Sequence, residues 1–145
     1  MITVVKITNP EDLKRAFAIR NNVFVIEQKV KKEEEFDEFD DSSHHFLALD
    51  ENGVAIGTAR WRKTSKGIKL ERFAVLPEYR GKRVGFQLVK KVLEDVRNNL
   101  SKTDKKIYLH SQLKAMPLYM KFGFTPMGEM FEECDILHYE MSLSV

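Results

Sequence analysis

Apolar residues recur at three- and four-residue spacing between Val84 and Val96. Val84, Leu88, Val89, Val92, Leu93 and Val96 fall on one face of a helix. Before it, Leu70 to Leu76 is an apolar run that Pro77 ends, because proline brings no N–H to a ladder. The pattern predicts a strand feeding a helix through a short loop. Upstream, Ile2 to Ile7 is β-branched and weakly alternating, and reads as a first strand. Asn9-Pro10-Glu11-Asp12 supplies an N-cap, a proline at the first helical position and first-turn acids. With Leu13, Ala16, Phe17 and Arg20 it predicts a helix, which Val23, Phe24 and Ile26 either continue or follow with a short second one. His44 to Leu49, Val54 to Arg62 and Ile68 to Leu76 read as successive antiparallel strands, turning at Asn52-Gly53 and Ser65-Lys66-Gly67. A polar connection, Ser101 to Asp104, leads to a strand at Lys106 to His110. Leu113, Met116, Tyr119, Met120 and Phe122 share a short helix closed by Gly123. Phe124 to Met127 and Ile136 to Leu143 make a final hairpin. The order β-α-β-β-β-α-β-α-β-β predicts an α+β fold, a sheet covered by helices.

At 145 residues the chain is expected to be a single domain, 1–145, large enough for a real core. The formal net charge of +2 implies no bulk attraction to nucleic acid or membrane, and neither partner is expected. No apolar run is long enough to span a bilayer, and no leader is visible. One cysteine, Cys134, forms no internal disulfide, which fits a reducing, cytoplasmic setting. No His/Asn pattern surrounds it, so a small buried or half-buried side chain is expected there rather than a nucleophile.

Charge is segregated. Glu33, Glu34, Glu35, Asp37, Glu38, Asp40 and Asp41 crowd one segment, broken by Phe36 and Phe39. Two readings stand: a solvated acidic loop, or a wall that attracts a cationic acceptor. The phenylalanines favour a segment folded against the body. Bases gather instead at Arg80, Lys82 and Arg83, beside Gly81 and Gly85, where the long helix begins. A helix N-terminus offers free N–H groups and the positive end of the dipole, so a phosphate-bearing ligand is the expected occupant. Neither a P-loop nor a three-glycine dinucleotide fingerprint is present.

The stretch Arg80-Gly81-Lys82-Arg83-Val84-Gly85 resembles the coenzyme A pyrophosphate loop of the GNAT N-acetyltransferases, Arg/Gln-x-x-Gly-x-Gly/Ala. Arg80 and Gly85 match its ends, and Arg83 stands where the family has its inner glycine. A later family signature is matched by Ala115, Leu118-Tyr119 and Gly123-Phe124, with Gln112 where an asparagine is frequent. The order of elements is similar over essentially the full chain. A narrower resemblance, to the ElaA-like (YjcF-like) subgroup, lies in Arg20 to Gln28, the acidic segment, His45, Leu70-Glu71-Arg72, His110-Ser111-Gln112 and Phe131 to His138.

The resemblance implies the GNAT fold, with a mixed, mostly antiparallel central sheet flanked by helices. It implies acetyl-CoA as donor and a primary amine, on a small molecule or a peptide, as acceptor. It also implies coenzyme contacts at Phe73, Ala74 and Val75 of the fourth strand, at Arg80, Gly81, Lys82, Arg83, Val84 and Gly85, and at Gln112 and Tyr119. Tyr119 is then the expected acid to the leaving sulfur. A homodimer is one expected assembly. Among the residues themselves, Glu71, an acid inside an otherwise apolar strand, is either the first candidate base or a surface or ion-paired glutamate, with Arg72 expected on the opposite face. His110 and His138 are the other candidates. Arg60, Trp61 and Arg62 are placed at the border of the acceptor pocket, Trp61 more as core. His44-His45 lacks the ligand spacing of a metal site, and no metal is expected. A second function class, a coenzyme-binding sensor or partner-binding module without turnover, rests on Arg83.

Overall fold

The computed structural model describes residues Met1–Val145. A seven-stranded sheet runs through it, built from β1 (Thr3–Lys6), β2 (His44–Leu49), β3 (Ala55–Thr64), β4 (Gly67–Val75), β5 (Lys106–Gln112), β6 (Thr125–Glu133) and β7 (Ile136–Ser144). The order across the sheet is β1-β2-β3-β4-β5-β7-β6, antiparallel everywhere except between β4 and β5. The helices are α1 (Pro10–Arg20), α2 (Lys32–Glu35), α3 (Val84–Asn98) and α4 (Met116–Met120). The architecture is the expected α+β one, with the very short α2 added inside the acidic segment. No helix is long and apolar enough to cross a membrane.

Strand alternation divides the core in two. Phe46 and Ala48 of β2 join Trp61, Leu70, Ile107 and the apolar face of α3. Leu47, between them in sequence, packs with Ala16, Ile19, Val23 and Ala74 under α1. Helices therefore cover both faces. Asn9 caps α1 as read from sequence, its side chain accepting from the Asp12 amide at 2.8 Å.

The chain after α1 neither stops nor continues as α-helix. Asn21–Glu27 is a π-helical turn, sealed by the Gln28 amide donating to Val23 O at 3.1 Å. Extra residues in such a turn rotate everything beyond them, which is why π turns mark functional sites. Here the turn delivers Glu27 and Gln28 to the open end of the sheet.

The acidic segment is not wholly a solvated loop, because three of its seven acids pair with arginines of the body. Glu35 and Asp40 are buried, and their partners are the buried Arg20 and Arg60. Arg20 bonds Glu35 at 2.9 Å and Asp40 at 2.6 Å; Arg60 bonds Asp40 at 2.6 Å, Asp37 at 2.9 Å and Glu71 at 3.0 Å. Phe36 meets Phe17 edge-on at 5.4 Å, and Phe39 lies under Arg62. The phenylalanines do fold the segment against the body; Glu35, Asp37 and Asp40 turn inward, while Glu33, Glu34, Glu38 and Asp41 stay exposed.

One irregularity shapes the site. Arg60 opposes Glu71 and Thr58 opposes Ala74, so Arg72 and Phe73 together face Ala59. Arg72 holds φ at 62°, a left-handed conformation costing a non-glycine residue about 1 kcal/mol. Its guanidinium is pinned to Glu35 O at 3.2 Å and Asp37 at 3.2 Å, which offsets that cost. The bulge breaks the alternation that would have sent Arg72 to the far face, and it twists β4. β4 and β5 pair only at Ile68/Ile107, Lys69/Tyr108 and Leu70/Leu109. Past Leu70 the two strands part, leaving a V-shaped opening.

β6 runs well past Met127, to Glu133. β6 is an edge of the sheet, where Pro126 and Gly128 are tolerated. The β6–β7 turn is Cys134-Asp135, both left-handed at φ 52° and 62°. Cys134 is exposed, not half-buried as the sequence suggested, because the turn carries it out of the sheet.

Candidate active site

The opening between β4 and β5 widens into a cleft of about 380 Å³. Along its β4 wall the edge from Glu71 to Val75 has no strand partner on the β5 side. The Leu76 amide donates to Ile56 O on the β3 side, so alternation turns the Val75 N–H and C=O toward the cleft. There Arg80 Nε donates to Val75 O at 3.0 Å. Val75, and by the same alternation Phe73, thus present main chain to the cleft, and Phe73, Ala74 and Val75 all line it.

A second hollow of about 350 Å³ adjoins the first at Val75 and Arg80 and lies over the start of α3. Arg80 to Gly85 come together here as expected. None of the backbone N–H groups from Gly81 to Phe86 donates to an acceptor within the protein. Six consecutive free amides at the positive end of a 15-residue helix form an anion cradle. Arg83 holds φ at 67°, so its backbone takes the conformation that a glycine would take there. Its side chain leans onto Phe86 at 4.2 Å, and Lys82 onto Tyr79 at 5.6 Å. At Gly85 a Cβ would approach Leu118 to 3.2 Å, so the glycine allows α4 to pack close to the cradle.

Arg80 differs from its neighbours. Its two Nη groups bond both Glu27 oxygens at 2.7 Å, so its charge is already paired. Gln28 and Gln112 join side chains across the cleft, Gln112 Nε2 donating to Gln28 Oε1 at 2.8 Å. The π turn therefore touches both walls, a connection that sequence spacing did not disclose.

Tyr119 lies in the same cleft, 6% exposed, its ring edge-on to Phe73 at 5.6 Å. Burial alone raises its phenol above the ordinary range, so it keeps its proton at neutral pH.

Glu71 also lines the cleft, but its surroundings are those of an ion-pair anchor. Arg62 lies at 2.7 Å, Arg60 at 3.0 Å and Lys69 at 3.1 Å. Burial works to raise its pKa, and these cations overcome it and hold it at about 2. A carboxylate so stabilised takes a proton poorly, which corrects the expectation of a base. Arg60 and Arg62 are drawn into this cluster rather than the cleft wall, and Trp61 is core, its Nε1 donating to Asp95.

The far end of the cleft is histidine-rich. His138, 6% exposed, bonds Ile136 O through Nδ1 at 2.7 Å. A carbonyl only accepts, so Nδ1 carries the hydrogen and the neutral ring keeps its lone pair on Nε2. Glu133 lies 3.9 Å from that nitrogen and Phe131 stacks on the ring at 5.9 Å. Both nitrogens of His110 are engaged, by Glu133 at 3.1 Å and Glu140 at 3.4 Å. Cys134 bonds Glu34 at 3.0 Å, and its thiol is pushed up to about 11, by burial first and then by the carboxylates of Glu34 and Glu133. His44 stacks on Trp61, while His45 points the other way to Asp40 O at 2.8 Å.

Residues 9–145 match the family model described as the acetyltransferase (GNAT) domain. The uncharacterized N-acetyltransferase YjcF of Bacillus subtilis is 37% identical over 134 residues, 92% of this chain and 93% of that one. The crystal structure of Escherichia coli ElaA superimposes with a TM-score of 0.83 at 28% identity, covering 98% of this chain and 99% of ElaA. A GNAT family acetyltransferase from Elizabethkingia anophelis, solved with acetyl-CoA bound, shares the fold with a TM-score of 0.69 at 19% identity, covering 99% and 98%. With a family match over nearly its whole length and relatives this similar, the chain belongs to the GNAT acetyltransferases, in the subgroup of ElaA and YjcF.

Proposed function

We propose that the protein transfers the acetyl group of acetyl-CoA directly to a primary amine of a small molecule or peptide. The run of free amides from Gly81 to Phe86, opening onto the unpaired edge of β4, carries this reading. Their number and charge suit a pyrophosphate, and the extended edge suits an arm bearing amides. Acetyl-CoA, bound in the related Elizabethkingia fold, has both and supplies the thioester.

In this reading the amides, Lys82 and Arg83 hold the pyrophosphate. Phe73, Ala74 and Val75 align the arm, and Gln112 borders it. Tyr119 gives its proton to sulfur as the amine nitrogen bonds the carbonyl carbon and the C–S bond breaks. The incoming amine must shed a proton, since an alkylammonium has a pKa of about 10.4. His138 Nε2 accepts it in place of Glu71, directly or through water, and Glu133 steadies the resulting imidazolium. A thiol held as far up as Cys134 is a poor nucleophile, which favours direct transfer over an acyl-cysteine route. The lone cysteine makes a cytoplasmic setting part of the same reading.

Calorimetric titration tests the core of this proposal. Acetyl-CoA is expected to bind saturably, and ATP and NAD are expected to give no comparable heat. Failure of acetyl-CoA to bind would overturn the proposal. Thiol release from acetyl-CoA, followed across a panel of amines, then identifies an acceptor. With that acceptor, His138→Gln is expected to lower kcat by about a hundredfold while acetyl-CoA affinity holds. An unchanged kcat would remove His138 from the mechanism.

A further inference from the structure

Three cations stand in the phosphate loop, and their engagements differ. Lys82 and Arg83 lean on aromatic faces. Arg80 alone is matched to a carboxylate, its end-on fork filled by both oxygens of Glu27 at 2.7 Å. Its third donor, Nε, takes Val75 O at 3.0 Å, one of the main-chain acceptors on the open edge of β4. One arginine therefore spans Glu27 and the open edge of β4. The π turn places that glutamate, whose neighbour Gln28 reaches the opposite wall. The pair lies open to solvent, with side-chain exposures of 40% and 35%, so a ligand can reach and displace it.

We propose that Glu27 is an internal counter-anion that competes with the coenzyme's phosphates for Arg80 and so holds down coenzyme affinity. Binding opens the pair. Arg80 then swings from Glu27 to phosphate, and Val75 O is released to the arm. The ion pair that Arg80 gains with phosphate is offset by the one it gives up with Glu27. The inference rests on the coenzyme reading above and assigns Glu27 an affinity-setting role through Arg80.

The test is calorimetric titration of the full chain with acetyl-CoA at low and high salt. Glu27→Gln is expected to bind about fivefold tighter than the unaltered protein, the scale of one exposed ion pair. That gain should shrink at high salt, because screening weakens the freed charge. Glu78 is felt by Arg80 without bonding to it. Glu78→Gln therefore controls for charge alone and is expected to change affinity by less than about twofold. In an Arg80→Met background, Glu27→Gln should add nothing. Equal or weaker binding by Glu27→Gln would overturn the proposal. So would an equal gain from Glu78→Gln, or a gain that survives without Arg80. Absence of binding by the unaltered protein would remove the coenzyme reading and this proposal together. Binding by it with no effect of Glu27→Gln removes this proposal alone.

Discussion

Arg60→Met is expected to destabilise the protein by about 3–5 kcal/mol, the usual cost of removing one partner from a buried ion pair. Arg60 is fully buried and bonds Asp37, Asp40 and Glu71 at once. Methionine fills much of the volume but leaves these three carboxylates short of a cation. The free energy is read from urea denaturation, and a loss below about 1 kcal/mol would mean that Arg20, Arg62 and Arg72 hold the cluster without it. The same cluster gives an acid-denaturation profile. Asp37 and Glu71 are held at about 2, and Asp40 is also lowered, in each case by arginines that outweigh burial. Lowered folded-state values mean stability that is complete above the unfolded values, near 4. It drains away as pH falls toward about 2. Glu35 runs the other way, since burial raises it despite Arg72 and Arg20. Three lowered groups against one raised predict a net loss over that window. Arg60→Met should flatten it, because the cation that lowers those carboxylates is gone.

Tyr119→Phe is expected to reduce kcat by about a hundredfold or more, the lower range for loss of a general acid. Acetyl-CoA affinity should hold, because the phenyl ring keeps its packing against Phe73 and Phe124. Only the hydroxyl is lost, and in the proposed mechanism it acts only in the step in which sulfur leaves. The split between an intact dissociation constant and a fallen kcat is the signature. Equal losses in both would instead make the tyrosine a packing residue, and an unchanged kcat would take it out of the chemistry.

How much of this could be read from the residues depended on the range of the interactions. Elements set by local patterning were legible: the apolar face of α3, the Asn9 cap, the turn at Gly53 and the approach of α4 to Gly123. The run of free amides at the head of α3 was legible because it is contained within six consecutive residues. Glu71 was left between base and ion-pair partner because Arg60 and Arg62 lie on another strand and meet it only through register. The pairing of Glu35, Asp37 and Asp40 was missed for the same reason, since Arg20 and Arg60 stand 15 to 23 positions from them in sequence and meet them only in the fold. The bulge at Arg72 carries no glycine to announce it. The π turn carries no breaker, so its pattern passed for ordinary helix. One signal was available: Arg20, an arginine within an apolar helical face, asks for a buried acid somewhere in the fold.

The parting of β4 from β5 has a consequence for the molecule as a mechanical object. Three residue pairs, from Ile68/Ile107 to Leu70/Leu109, make up the ladder between the first four strands and the last three. The strand edge and amide cradle belong to the first part, and Tyr119, Gln112 and His138 to the second. The seam that opens the cleft is thus also the thinnest join in the sheet. A ligand gripping both walls bridges it like a rivet, and the two halves resist separation most when the cleft is filled.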